Sequence, residues 1–101
     1  MIFKNSNQLL KMINEGRLTL IIDVRDEEDY MLGHIPNAVN IPMEIILSKL
    51  EELYQYKDEV ILIYCAKGQS SAIVCKYLES KGFSNVYNLL NGINNYISKG
   101  E

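Results

Sequence analysis

The stretch VILIYCAKGQSSAIVCKYL, Val60 to Leu78, decides the fold. Its first half is branched and aromatic, as a buried strand is, and its second half spaces apolar residues as a helix does. Between them lie Cys65 and a short loop containing Gly68. A strand that hands over to a helix through a tight loop is the unit of a parallel sheet, and in open sheets of that kind ligands sit beyond the carboxyl ends of strands. Cys65 is at such an end. If the loop curls around the sulfur, the amides of Ala66, Lys67, Gly68, Gln69, Ser70 and Ser71 converge on it as an anion-binding nest, and a helix beginning near Ser70 adds its positive end. Both effects favour thiolate over thiol, and Lys67 adds a cation. A cysteine that merely fills core at a strand end needs neither a glycine three residues on nor two hydroxyl residues where a helix must be capped.

The same two patterns recur on either side. LTLIIDV (18–24), EVILIY (59–64) and NVYNL (85–89) read as buried strands, with a short strand at Ile2 and Phe3 and another formed by Ala38, Val39 and Ile41 between Pro36 and Pro42. Between them fall helical patterns. The first is capped by Asn5 or Ser6, carries Leu9, Leu10 and Ile13 on its apolar face, and ends at Gly16. RDEEDYMLG reads as two turns closed by a left-handed C-cap at Gly33, and MEIILSKLEELY as a helix with Ile46, Leu47, Leu50 and Leu53 on one side. SSAIVCKYLESKG is stopped by Gly82, and GINNYISKG is a terminal helix. Alternating elements with strands apolar on both faces predict an α/β domain of three layers, a mainly parallel central sheet with helices on both faces.

At 101 residues with 48% apolar content, residues 1–101 make a single domain with a real core. Thirteen acidic against ten basic residues give a net charge of −3, and no Lys/Arg cluster is present, so neither nucleic acid nor an anionic membrane is an expected partner. The N-terminus turns polar after three residues and no apolar run approaches a membrane span, from which a cytoplasmic location is expected. Cys65 and Cys75 form no C-x-x-C pair and no zinc-type cluster with the single histidine, His34, so both are expected as thiols. Cys75 lies on the apolar helix face and reads as core.

Several motifs in one order resemble the single-domain rhodaneses, a family of sulfurtransferases. They are Asp23-Val24-Arg25 with Asp29-Tyr30, Gly33-His34-Ile35-Pro36-Asn37-Ala38, Asn40-Ile41-Pro42, Tyr64-Cys65 with Gly68 and Ser71, and Gly82-Phe83 with Asn88-Leu89, Asn91-Gly92 and Tyr96. The resemblance spans nearly the whole chain and implies the rhodanese-like fold. It also implies a two-step relay in which Cys65 takes the outer sulfur of thiosulfate or a persulfide, becomes a persulfide, and yields that sulfur to a thiol or cyanide acceptor. Residues Ala66 to Ser71 are the implied substrate cradle, and no metal or organic cofactor is required. A protein persulfide or a thioredoxin-like protein is a further partner of the implied kind.

Three departures matter. Ser70 stands where many members carry an arginine that grips an oxyanion donor, the family's double glycine is Asn91-Gly92, and its tryptophan is Tyr96. The last two are expected to affect packing of the final helix more than chemistry. Asp23 and Arg25, with Asp29, read as an internal ion-pair and turn network that supports the site, and His34 as a hydrogen-bonded residue around it, since an ionised thiol needs no base. A related cysteine-dependent phosphatase or arsenate reductase is disfavoured, because a phosphatase needs an arginine six residues after the cysteine, where Ser71 stands. A non-catalytic binding or regulatory module is the other alternative.

Overall fold

The computed structural model describes residues 2–94. Five strands form one sheet: β1 (Ile2–Lys4), β2 (Leu20–Asp23), β3 (Val39–Asn40), β4 (Ile61–Tyr64) and β5 (Val86–Leu89). They lie in the order β1-β5-β4-β2-β3, and every pairing is parallel. Helices α1 (Ser6–Asn14), α2 (Glu27–Leu32), α3 (Leu50–Leu53) and α4 (Gln69–Ser80) connect them. The expected α/β architecture is present. The terminal helix expected over 92–100 begins at Gly92, and its remainder, with Tyr96, lies outside the described residues.

Strand alternation sorts the core into two layers. Ile61, Ile63 and Cys65 point to one face, where they meet Val74, Cys75 and Leu78 of α4 together with Ile46, Leu53 and Phe83. Leu62 and Tyr64 point to the other and pack with Leu9, Ile21, Ile35, Leu89 and Ile93. All four residues of β4 are buried, as a strand covered on both sides must be, and each such side chain contributes roughly 1.5–3 kcal/mol through burial.

Local details differ from the sequence expectation at four places. Asn5 caps α1 through its side chain on the Gln8 amide at 2.8 Å, with Gln8 returning the bond, but the buried stripe is Leu9 and Met12 rather than Leu9 and Leu10. Positions i and i+3 share a helix face, whereas i+1 is turned about 100° away, and Leu10 is 41% exposed. Gly33 closes α2 at φ 156°, ψ 135°, outside the left-handed helical well. Residues Met43–Lys49 form a 3-10 turn before the four-residue α3, so the buried side follows Met43, Ile46, Leu50 and Leu53, and Leu47 is 60% exposed. Finally, α4 starts at Gln69 with Gly68 as N-cap at φ 94°, a left-handed conformation glycine adopts without strain, so neither serine caps the helix.

Candidate active site

The chain leaves β2 toward β3 and leaves β4 toward β5, on the opposite side of the sheet. Neighbouring parallel strands whose connections diverge open a crevice at their carboxyl ends. A cavity of about 360 Å³ lies there, lined by Val24, Arg25 and Asp26 after β2 and by Cys65, Ala66, Lys67, Gln69 and Ser70 after β4, with Asp29, Met43 and Glu44 completing the wall.

Cys65 is buried at the floor, and its sulfur is met from three directions. The Gly68 amide donates to Sγ at 3.1 Å, the Ser71 amide donates at 3.3 Å, and Ser71 Oγ lies 3.2 Å away. Burial works against ionisation. The Ser71 hydroxyl and the amides of Ser71, Gly68 and Lys67 outweigh it and hold the Cys65 thiol below the usual thiol value. Of the six amides expected to form the nest, those of Gly68 and Ser71 bond directly and that of Lys67 adds to them, whereas Ala66, Gln69 and Ser70 line the cavity.

Two residues that the sequence analysis named only as parts of a motif, with no role at the cysteine, hold this loop in shape. Asn88 of β5 is fully buried on the α4 side of the sheet, where its Nδ2 donates to the Gly68 carbonyl at 3.0 Å and its Oδ1 accepts from the Ser71 hydroxyl at 2.5 Å. Gly92, at φ 73°, presses on the loop from behind: a Cβ there would collide with the Ala66 carbonyl and come within 2.6 Å of the Lys67 nitrogen. Amides of Ile93 and Asn94 also donate to the carbonyls of Cys65 and Ala66, at 2.9 and 3.1 Å. The Asn91-Gly92 turn thus bears on the cradle itself as well as on the last helix, contrary to the sequence expectation. Asn91 takes φ 65°, a left-handed conformation that asparagine tolerates better than most residues.

Arg25 and Asp23 form a two-toothed pair, Nη2 to Oδ2 at 2.7 Å and Nε to Oδ1 at 3.1 Å, and the Arg25 guanidinium also donates to the Gly33 carbonyl at 2.7 Å. Asn40 secures the same turn by donating to the carbonyls of Asp23 and Arg25. Burial opposes the charge on Arg25, yet Asp23 raises its pKa further. His34 stacks on Tyr30 with ring centroids 3.8 Å apart and donates from Nδ1 to the Tyr30 carbonyl, away from the residues that line the cavity. The acidic wall formed by Asp26, Asp29 and Glu44 was not foreseen as a unit; Asp26 and Asp29 start the α2 segment, and only the fold brings Glu44 to them. Among the described residues no cluster of three or more His, Cys, Asp or Glu is gathered as a metal site would be.

The family model for the rhodanese-like domain matches residues 5–99. The chain belongs to this family. A rhodanese-like domain protein from Staphylococcus aureus superposes with a TM-score of 0.85 at 34% identity, covering 95% of this chain and 91% of that one. A sulfurtransferase from Allochromatium vinosum is 33% identical over 89 residues, 88% of this chain and 81% of its own length. An adenylyltransferase and sulfurtransferase from Ogataea parapolymorpha is 29% identical over 90 residues, 89% of this chain, and this chain spans only 23% of that protein. A tRNA uridine(34) hydroxylase from Buchnera aphidicola is likewise 29% identical over 98 residues, 93% of this chain and 30% of its own length. Among the described residues no helix is long and apolar enough to cross a membrane.

Proposed function

We propose that this rhodanese-like domain transfers sulfane sulfur through a persulfide on Cys65. The observation that carries the reading is the convergence of two amides and one hydroxyl on a buried sulfur at the floor of an open cavity. The Cys65 thiolate attacks the outer sulfur of the donor; the new S–S bond forms as the donor's own bond to that sulfur breaks, and the donor leaves as a thiolate or sulfite. An acceptor thiolate then attacks the outer sulfur of the loaded enzyme and expels the Cys65 thiolate. No net oxidant or reductant is consumed. In both states an anionic sulfur lies within the same cradle of loop amides, whose fixed dipoles favour it.

The wall of the cavity favours a persulfide over thiosulfate. Of its two cations, Arg25 is committed to Asp23 and the Gly33 carbonyl, leaving Lys67 to face Asp26, Asp29 and Glu44. A dianionic donor meets net repulsion there, and Ser70 supplies no guanidinium for its oxygens. Ser71, buried and bonded to Asn88, offers no oxyanion clamp of the phosphatase kind. Incubation with thiosulfate and, separately, with a low-molecular-weight persulfide tests the reading through intact mass. The persulfide is expected to add one sulfur atom, removable by dithiothreitol, and no gain from either donor overturns it. Ser70→Arg is expected to raise kcat/KM for thiosulfate roughly ten- to a hundredfold with little change for the persulfide. A wild-type preference for thiosulfate that disappears in Lys67→Ala would move donor selection from Ser70 to Lys67.

A further inference from the structure

Four residues close a ring of hydrogen bonds around the reactive sulfur. Cys65 Sγ lies 3.2 Å from Ser71 Oγ, Ser71 Oγ lies 2.5 Å from Asn88 Oδ1, Asn88 Nδ2 donates to the Gly68 carbonyl at 3.0 Å, and the Gly68 amide donates back to Cys65 Sγ at 3.1 Å. Ser71 and Asn88 are each 0% exposed, so solvent does not fill in for a missing partner. The Gly68 carbonyl can only accept, which forces the nitrogen of the Asn88 amide toward it and turns Oδ1 toward Ser71. Oδ1 also only accepts. Ser71 has one hydroxyl proton, and in this arrangement it goes to Asn88, leaving an oxygen lone pair toward Cys65. That lone pair suits an S–H and repels a thiolate.

An anionic sulfur claims the same proton, and a hydrogen bond to a charged acceptor is roughly twice as strong as one between neutral groups. We propose that Asn88 is a positioning residue that holds the Ser71 hydroxyl proton while Cys65 is neutral and yields it, by rotation of the hydroxyl, when Cys65 becomes an anion. In that step the thiol proton leaves to water at the cavity mouth, the O–H turns to Sγ, and Asn88 Oδ1 loses its donor; the S–H bond alone is broken. After sulfur loading the charge sits on the outer sulfur, Sγ is again neutral, and the proton returns to Asn88. Leaving a buried carbonyl oxygen without a partner is unfavourable, so Asn88 restrains the ionisation that the amides promote. The thiolate is then less stabilised, and a thiolate of higher basicity is the better nucleophile.

The inference rests on Cys65 being the reacting thiolate of the proposed function, but it concerns ionisation, which needs no sulfur donor. The charged and titratable groups that face Cys65 are Arg25 and Asp26 after β2, Asp29 of α2, Glu44 of the 3-10 turn, Lys67 of its own loop and Cys75 of α4. No side chain among them belongs to the ring.

The test is a pH titration of the wild type, of Ser71→Ala, of Asn88→Leu and of the double variant. It is read by the iodoacetamide rate at Cys65 and, where asparagine remains, by the side-chain carbonyl carbon resonance of Asn88. The Asn88 resonance is expected to move with the Cys65 midpoint in the wild type and to stay still in Ser71→Ala, whose alkylation below the midpoint is about tenfold slower. Asn88→Leu is expected to lower the midpoint when Ser71 is present and to leave it unmoved in the Ser71→Ala background. An Asn88 resonance indifferent to Cys65 ionisation overturns the proposal, and so does one that moves equally without the Ser71 hydroxyl. An identical midpoint shift from Asn88→Leu in both backgrounds overturns it too, because that is what a structural residue would give. If Asn88→Leu does not fold, the wild type and Ser71→Ala decide the matter. Failure of sulfur loading with the expected titration would discard the proposed function and leave this inference standing.

Discussion

Cys65 and Cys75 stand ten residues apart in the sequence, are both buried, and belong to the same apolar cluster, yet their chemistry diverges. Burial pushes the Cys75 thiol up to about 12, with the Glu79 charge adding to it, and its thiol donates to the Tyr87 carbonyl, an acceptor, at 3.8 Å. Cys65 suffers the same burial but is held below the ordinary thiol value. What separates them is the supply of donors: a strand end, a left-handed glycine and the first turn of α4 bring N–H groups to one sulfur, while the middle of α4 has spent its N–H groups on its own helix. Depth in the core therefore says little about a thiol's reactivity; the neighbouring hydrogens decide.

The largest effect expected from breaking this contrast is in Cys65→Ser, which should abolish sulfur uptake by intact mass while leaving the circular dichroism spectrum unchanged, because a serine hydroxyl stays protonated at neutral pH. Sulfur still carried by that variant would transfer the nucleophile's role elsewhere. Gly92→Ala attacks the donors rather than the sulfur. Its added carbon runs into the Ala66 backbone at a left-handed position, so a loss of roughly 2–4 kcal/mol in urea unfolding and slower Cys65 alkylation are expected. An unchanged alkylation rate would mean that the cradle keeps its shape without that close approach.

Cys75→Ser sharpens the contrast from the other side. Transfer should be retained and stability should fall by roughly 1–3 kcal/mol, the cost of a hydroxyl in that apolar setting. Full stability with lost turnover would instead identify Cys75 as a second reacting thiol. The smallest effect is in the pH dependence of stability. Between the lowered Cys65 value and the unfolded thiol value of about 9, the unfolded chain holds the extra proton. Stability owed to Cys65 therefore rises with pH through that window and is complete above it. Cys75 acts oppositely: from about 9 to about 12 the folded chain keeps the proton, and stability falls. Urea midpoints should show the gap between wild type and Cys65→Ser widening toward pH 9, and Cys75→Ser losing less stability than wild type above it.

The strands and the cysteine loop were legible because their signals are local: branched apolar runs for β2, β4 and β5, and Cys65 with Gly68 between strand and helix patterns. Leu47 misled because helical spacing was assumed where the chain winds as a 3-10 turn, and the two windings diverge after one turn. Asn88 and Gly92 stood in the motifs that carried the family resemblance, but nothing local to them pointed to the cysteine loop. The role of each comes from a loop far earlier in the chain, Ser71 and Gly68 for Asn88 and Ala66 for Gly92. The acidic wall was hidden for the same reason, since Glu44 joins Asp26 and Asp29 only when the ends of β2 and β3 are brought side by side.

The bonds from the Ile93 and Asn94 amides to the carbonyls of Cys65 and Ala66 make the site its own reporter. Amide hydrogens exchange with deuterium only when their acceptors let go, so these two report each opening of the nucleophile's backbone, whatever the sulfur carries. If the Gly92 turn and the cysteine loop open as one cooperative unit, both amides share a single protection factor with Gly68 and Ser71. Any ligand that closes the cavity should slow all four together.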